Sequence, residues 1–201
     1  MKHALCISVA IFALSTGTAS AASTVLYTQD GRALAGGIPS QNFEASYDRF
    51  DSRAADDFPV PKGKTWTISE VDVIGAYFDG AGPAVSENVT FYTNMGGLPG
   101  AIVKDYNGLL GSDNGSGALN IKIPKTKLKA GTYWVSVQVN MAFGVGGEWA
   151  WKSQDTLVGL PAVWENPNDG FSTGCTTYTA ELSCFDDGFG DHLFTLKGKS
   201  K

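Results

Sequence analysis

Alternation of apolar and polar residues with a period of two is the feature that most limits how this chain can fold. The alternation is clearest between residues 133 and 141. A period of two sends successive side chains to opposite faces of a β-strand. The segment is therefore predicted to be a strand whose apolar face is Tyr133, Val135, Val137, Val139 and Met141, and whose other face is Trp134, Ser136, Gln138 and Asn140.

The same period recurs along the chain. Residues 119–123 alternate too, and residues 124–131 are rich in turn formers, which predicts that segments 119–123 and 133–141 pair as antiparallel strands. In segment 65–78 the apolar residues change phase, so a β-bulge is predicted near Ser69 and Glu70. A helical period longer than one turn is absent, and the chain has 25 glycines. We therefore predict one all-β domain, an antiparallel, jelly-roll-like β-sandwich.

The first 21 residues predict export. They combine a basic start, an apolar run of eleven residues and the small residues Ala19, Ser20 and Ala21, as a cleaved signal peptide does. The run is too short to span a bilayer, which takes about 20 residues. We predict a signal peptide over 1–21 and a secreted or periplasmic domain over 22–201, with no membrane insertion.

The domain predicted over 22–201 retains two cysteines, Cys175 and Cys184. In an exported protein such a pair is most simply a disulfide bond.

The chain as a whole is acidic, with a net charge of −5. The lysines look scattered, with denser groups at 122–129 and 197–201 that we interpret as solvated surface. Nucleic acid is therefore not an expected partner, and the sequence leaves the oligomeric state open.

Several stretches resemble a β-sandwich module that recurs in secreted, often multidomain bacterial proteins. The resemblance implies a fold and an extracellular location. No activity is assigned to that module, so no functional residue carries over. The stretches are 54–61, 65–68, 88–92, 96–100, 131–137, 147–151 and the loop 174–184.

Catalytic chemistry has few candidates in the predicted domain. His192 is its one histidine and lies in no recognised motif, so we interpret it as a surface or strand-end residue rather than a catalytic base. Carboxylates for a glycosidase are present, but an acidic chain supplies them in any case. We expect a non-enzyme, with an uncharacterised hydrolase as the least favoured alternative.

Calcium is the one cofactor that the sequence suggests. Asp186, Asp187 and Asp191 lie among glycines, and calcium takes oxygen ligands on flexible loops. A second acidic group lies between residues 48 and 57. The alternative for both groups is that aspartates cap turns and keep the surface soluble.

The five tryptophans indicate a possible carbohydrate ligand. Trp134 shares the polar face with Ser136, Gln138 and Asn140, where its ring could stack on a sugar. Trp149 and Trp151 are predicted to pack in the core. We therefore expect a non-catalytic extracellular binding or adhesion module for a glycan or cell-surface ligand. The alternative is a structural or accessory domain that binds nothing small.

Overall fold

The protein is an antiparallel β-sandwich of two packed sheets, as the alternation predicts. A computed structural model describes residues 23–113, 115–185 and 190–201. The predicted signal peptide lies outside these residues. The strands are β1 (Thr24–Gln29), β2 (Ala33–Pro39), β3 (Gln41–Asn42), β4 (Arg53–Val73), β5 (Gly75–Phe78), β6 (Ser86–Met95), β7 (Leu98–Leu109), β8 (Ser112–Asp113), β9 (Leu119–Asn140), β10 (Glu148–Gln154), β11 (Val163–Glu165), β12 (Thr179–Ala180), β13 (Asp191–His192) and β14 (Phe194–Ser200).

The larger sheet has the strand order β1-β14-β4-β9-β6-β7. Short strands extend it: β3 and β8 pair with β9, and β11 joins β12 to β4. The smaller sheet has the order β13-β10-β2, with β5 also on β10. All strand pairs among the described residues are antiparallel except β3 with β9. Two four-residue helices, α1 (Phe143–Gly146) and α2 (Glu181–Cys184), and a 3-10 turn (Asp48–Phe50) complete the described elements. No helix in the described ranges has the length and apolar character to cross a membrane.

The predicted pairing of 119–123 with 133–141 is wrong. Both segments belong to β9, which runs through the predicted turn and pairs with β4 on either side of it. Ile121 lies opposite Val71, and Val135 lies opposite Asp56. The two segments need no turn between them because β4 is nearly as long as β9 and gives each a partner. Leu128 packs inward within the predicted turn and keeps the strand on the core.

The predicted bulge is confirmed. The register between β4 and β9 shifts between Ile68 and Glu70. Trp66 and Ile68 before the shift, and Val71 and Val73 after it, are all buried. A bulge resets the alternation of a strand, so both halves of β4 face the same core.

The core between the sheets also matches the alternation. Tyr133 is only half-buried but packs against the same core. Trp149 and Trp151 are buried, and their indole nitrogens donate to the carbonyl oxygens of Gly117 and Leu193. The other residues predicted inside are fully or almost fully buried, namely Val89, Phe91, Leu119, Ile121, Val135, Val137 and Val139.

The disulfide between Cys175 and Cys184 is confirmed, with the two Cα atoms 5.9 Å apart. Cys175 is buried in the main core, and Cys184 packs against that core at the end of α2. Trp164 packs beside it on Phe185, with ring centroids 4.8 Å apart. The bridge thus ties the long connection between β11 and β13 to the sandwich.

Candidate functional site

Part of the outer face of the larger sheet carries a row of amide side chains. Val137 and Val139 point into the core, so alternation sends Gln138 and Asn140 outward. Asn88 of β6 lies opposite Gln138, and Asn42 of β3 lies opposite Asn140. We call Asn42, Asn88, Gln138 and Asn140 the amide row. Two of the four residues predicted to contact a ligand therefore lie side by side in it.

Hydrogen bonds fix the orientation of every amide in the row. Asn42 Nδ2 donates to Asn140 Oδ1 at 2.9 Å, and Asn140 Nδ2 donates to Asn88 Oδ1 at 3.0 Å. Asn88 Nδ2 donates to Gln138 Oε1 at 3.1 Å. Gln138 Nε2 in turn donates to the carbonyl oxygen of Ser52 at 2.9 Å. A connected network of this kind holds its members in one arrangement before any ligand arrives.

A cavity of about 310 Å³ opens at one end of the amide row. We call it the polar pocket. Its walls come from β3, from the turn that leads into β4, from β9 and from the loop after β11. The described lining residues are Asn42, Asp51, Ser52, Arg53, Gln138, Pro167 and Asn168.

Asn166 holds two walls of the polar pocket together. Its buried amide donates to the carbonyl oxygens of Arg49 and Asp51, each at 2.8 Å. Its Oδ1 accepts the backbone N–H of Phe171 at 3.0 Å. The loop that carries Pro167 and the turn before β4 therefore form one unit.

Arg53, the cation in the described lining of the polar pocket, is already paired. Arg53 Nη2 lies 2.6 Å from Glu165 Oε1. Burial raises the pKa of Asp51, although its Oδ1 accepts the backbone N–H of Phe43 at 2.7 Å. Burial also raises the pKa of Glu165, against the opposing effect of Arg53. The guanidinium is thus balanced by carboxyl groups.

Trp134 is not available as a stacking surface. The ring is fully buried, and its Nε1 donates to Asn94 Oδ1 at 3.1 Å. Ser136 is buried as well and donates to the carbonyl oxygen of Ala54 at 2.7 Å. These two members of the predicted site are covered because a second layer packs on this part of the face. The small cluster around Trp134 consists of Ala55, Tyr92, Val163, Leu160 and Tyr178.

His192 is a strand-end residue of β13, but the prediction that it could lie at the surface is wrong. The side chain is fully buried, and its Nε2 lies 2.6 Å from Glu181 Oε1. The imidazole also stacks on Trp151, with ring centroids 4.7 Å apart. Its contacts are thus those of a core residue.

Asp191 belongs to the interior as well. Its Oδ2 accepts the backbone N–H of Val158, and burial raises the pKa of Asp191 to about 7. The neighbouring Asp56 accepts the backbone N–H of His192 at 2.6 Å. Burial, followed by the charge of Asp191, raises the pKa of Asp56 well above its usual value.

The calcium site stays a prediction. Asp186 and Asp187 lie outside the described residues. Within the described ranges, no group of three or more acidic, histidine or cysteine side chains could hold a metal ion. In the second acidic group, Asp48 lies in a 3-10 turn, whereas Asp56 and Asp57 lie within β4.

Sequence reasoning missed Asn42, Arg53 and Asn168. Asn42 reaches the site through the parallel pairing of β3 with β9, which no local pattern indicates. Asn168 lies in a turn-rich segment, and that composition predicts a loop but not its neighbours.

No protein family, curated protein or solved structure matches this chain. The resemblance to a bacterial secreted module therefore stays a prediction.

Proposed function

We propose that the protein is an extracellular binding module that holds a neutral glycan in the polar pocket. One observation carries the proposal: a row of mutually hydrogen-bonded amides leads into an open, polar cavity. The size of the cavity lies at the lower end of the range for small-ligand sites, which suits one or two sugar units.

The donors and acceptors in the pocket suit hydroxyl groups. A sugar hydroxyl both donates and accepts a hydrogen bond, so its site needs both kinds of partner. Asn42 and Asn168 each use the amide nitrogen in their described contacts, to Asn140 and to the carbonyl oxygen of Asp48. Their carbonyl oxygens are left to accept from a ligand, and Arg53 can donate.

Local charge favours a neutral ligand over an anionic one. Arg53 is the cation in the described lining, and it already pairs with Glu165. Asp51 adds a further carboxyl group beside it. An anionic sugar would have to compete with both carboxyl groups, whereas a neutral sugar would not.

The same lining favours binding over hydrolysis. Glycosidases of the common types use two carboxyl groups that flank the scissile bond. Asp51 is the one carboxyl group in the described lining of the polar pocket. A hydrolase is therefore the weaker proposal for this site.

The proposal can be tested with residues 23–201 on a glycan array, followed by calorimetric titration of the best neutral oligosaccharide. Asn42→Ala combined with Asn168→Ala should weaken binding by about tenfold or more, because two ligand hydrogen bonds are lost. Asn107→Ala is the matched control, since Asn107 is an exposed amide on the edge strand β7.

Two outcomes would count against this function. A ligand whose affinity is unchanged in the double variant would be bound elsewhere on the protein. The absence of any neutral glycan ligand across the array would instead favour a structural or accessory domain.

A further inference from the structure

Two groups of lysines that are distant in sequence meet on one sheet. Strands β14, β4 and β9 are neighbours in the larger sheet, and they bring segment 197–201 beside segments 62–70 and 122–129. The sequence shows the groups at 122–129 and 197–201 as separate stretches of solvated surface, but not that the sheet places them side by side. Of the eleven lysines after residue 22, nine lie in these segments: Lys62, Lys64, Lys122, Lys125, Lys127, Lys129, Lys197, Lys199 and Lys201.

Six of these lysines form three rows across the sheet. In each row a central residue of β4 has one lysine on the β14 side and another on the β9 side. Trp66 and Ile68 face the core, so the residues that alternate with them face outward. We call these six lysines the lysine face; its rows are Lys197–Glu70–Lys122, Lys199–Thr67–Lys127 and Lys201–Thr65–Lys129.

Most of the lysine face has no anionic partner among the residues that the structure describes. Lys197 pairs with Glu70 at 2.7 Å and with Asp72 at 2.5 Å. The other five are exposed and form no ion pair with any residue that the structure describes. Lysines two residues apart on one strand have Cα atoms about 7 Å apart, and lysines that face each other across β4 are about 10 Å apart. Lys122 lies five residues from Lys127, beyond the bulge, so the spacing is wider there. The result is an extended cationic surface on a chain whose net charge is −5.

We propose that the lysine face binds an extended polysaccharide that carries an anionic group on successive sugar units. An array of cations that continues over three neighbouring strands matches a linear polymer that carries an anion on successive units. The hydroxyls of Thr65 and Thr67 lie between the lysines and can bond to sugar hydroxyls.

Two other polyanions suit the surface less well. Single-stranded nucleic acid is held by aromatic rings that stack on bases, and the six residues of the lysine face and their β4 neighbours include no aromatic ring. Peripheral membrane binding normally adds a broad apolar surface. Here one exposed apolar residue, Val25, lies opposite Lys197, and it is 59% exposed.

This inference does not rest on the proposed neutral-glycan site. The amide row lies at residues 138–140 of β9, whereas the lysine face lies at residues 122–129 of the same strand. The covered region around Trp134 separates the two. Loss of one site should therefore leave the other intact.

The experiment measures binding of residues 23–201 to dextran sulfate, with uncharged dextran of the same chain length as the reference, at a series of salt concentrations. Dextran sulfate should bind and uncharged dextran should not. Lys127→Gln combined with Lys199→Gln should lower the slope of log affinity against log salt by about 1.5, since each cationic contact contributes about 0.7–0.9. Arg32→Gln combined with Lys104→Gln removes equal charge outside the lysine face and should leave the slope nearly unchanged.

Three results would overturn the proposal. Equal effects of the two double variants would show that net charge, and not the lysine face, governs binding. Tighter binding to anionic phospholipid vesicles at the same salt concentration would identify a membrane as the partner. Tighter binding to duplex DNA would identify nucleic acid.

Discussion

Asp191 is a buried carboxyl group whose proton should link stability to pH. Burial raises its pKa in the folded protein to about 7, from 3.8 for an unperturbed group. Between these two pKa values, the carboxyl group of Asp191 is ionised in the unfolded chain but keeps its proton in the folded protein. The contribution of Asp191 to the free energy of unfolding is therefore fully present below about pH 4, and it is lost as the pH rises to about 7.

We predict that Asp191→Asn reduces this loss of stability by on the order of 2 kcal/mol between pH 4 and pH 8. Asparagine keeps an oxygen that can accept the N–H of Val158, so the fold should persist. Urea unfolding at a series of pH values measures the effect. Part of the decline in the free energy of unfolding should remain in the variant, because burial also raises the pKa of Glu148 to about 7. If the free energy of unfolding fell equally with pH in the variant and in the parent protein, that result would contradict the prediction.

At the residue scale, alternation predicts which face a side chain points to but not whether that face is covered. Val135 and Val137 are buried as expected because one face of β9 must pack on the core. Trp134 points away from that core, also as expected, yet residues of the connection between β10 and β12 bury it. That covering layer comes from chain distant in sequence, so the pattern within β9 carries no sign of it.

At the scale of elements, the disulfide is the clearest local restraint on the connection between β11 and β13. It closes a loop of ten residues, whose restraint on the unfolded chain contributes about 2.7 kcal/mol in the chain-entropy model. Cys175→Ser combined with Cys184→Ser should lower the free energy of unfolding by about 2–4 kcal/mol, since Cys175 is also buried in the core. Denaturant unfolding under non-reducing conditions measures the change.

Loss of the disulfide should destabilise the connection between β11 and β13 more than the two sheets. Hydrogen exchange in the double serine variant should increase mainly within residues 166–185, whereas β4 and β9 should keep their protection. Uniform loss of protection across both sheets would contradict a local role for the bridge.

Strand pairing was harder to predict than strand existence. The alternation in 119–123 and 133–141 identifies two extended segments, but their partner residues in β4 lie about 50 and about 80 residues earlier in the chain. Turn-forming residues suggested a hairpin, because local patterns favour the nearest partner. The lysine face was missed for the same reason, since it exists only once β14, β4 and β9 are neighbours. The amide row likewise depends on the pairing of β9 with β3 and β6.

At the scale of the whole molecule, charge is segregated along one sheet. The lysine face concentrates the basic residues at one end of β9, while Arg53 at the other end is balanced by carboxyl groups. An acidic protein with such a distribution can present a strongly positive potential over a limited area. Net charge alone therefore does not describe the electrostatic potential that this surface presents to a partner.

This segregation predicts chromatographic behaviour that net charge does not. At pH 7 and low salt, residues 23–201 should be retained on a sulfonate cation exchanger, although the protein is acidic overall, because the lysine face can lie flat on the resin. Lys127→Gln combined with Lys199→Gln should elute at clearly lower salt. Arg32→Gln combined with Lys104→Gln, which makes the net charge equally more negative, should elute close to the parent protein. Flow-through of the parent protein, or the same shift for both variants, would mean that the lysines do not act as one surface.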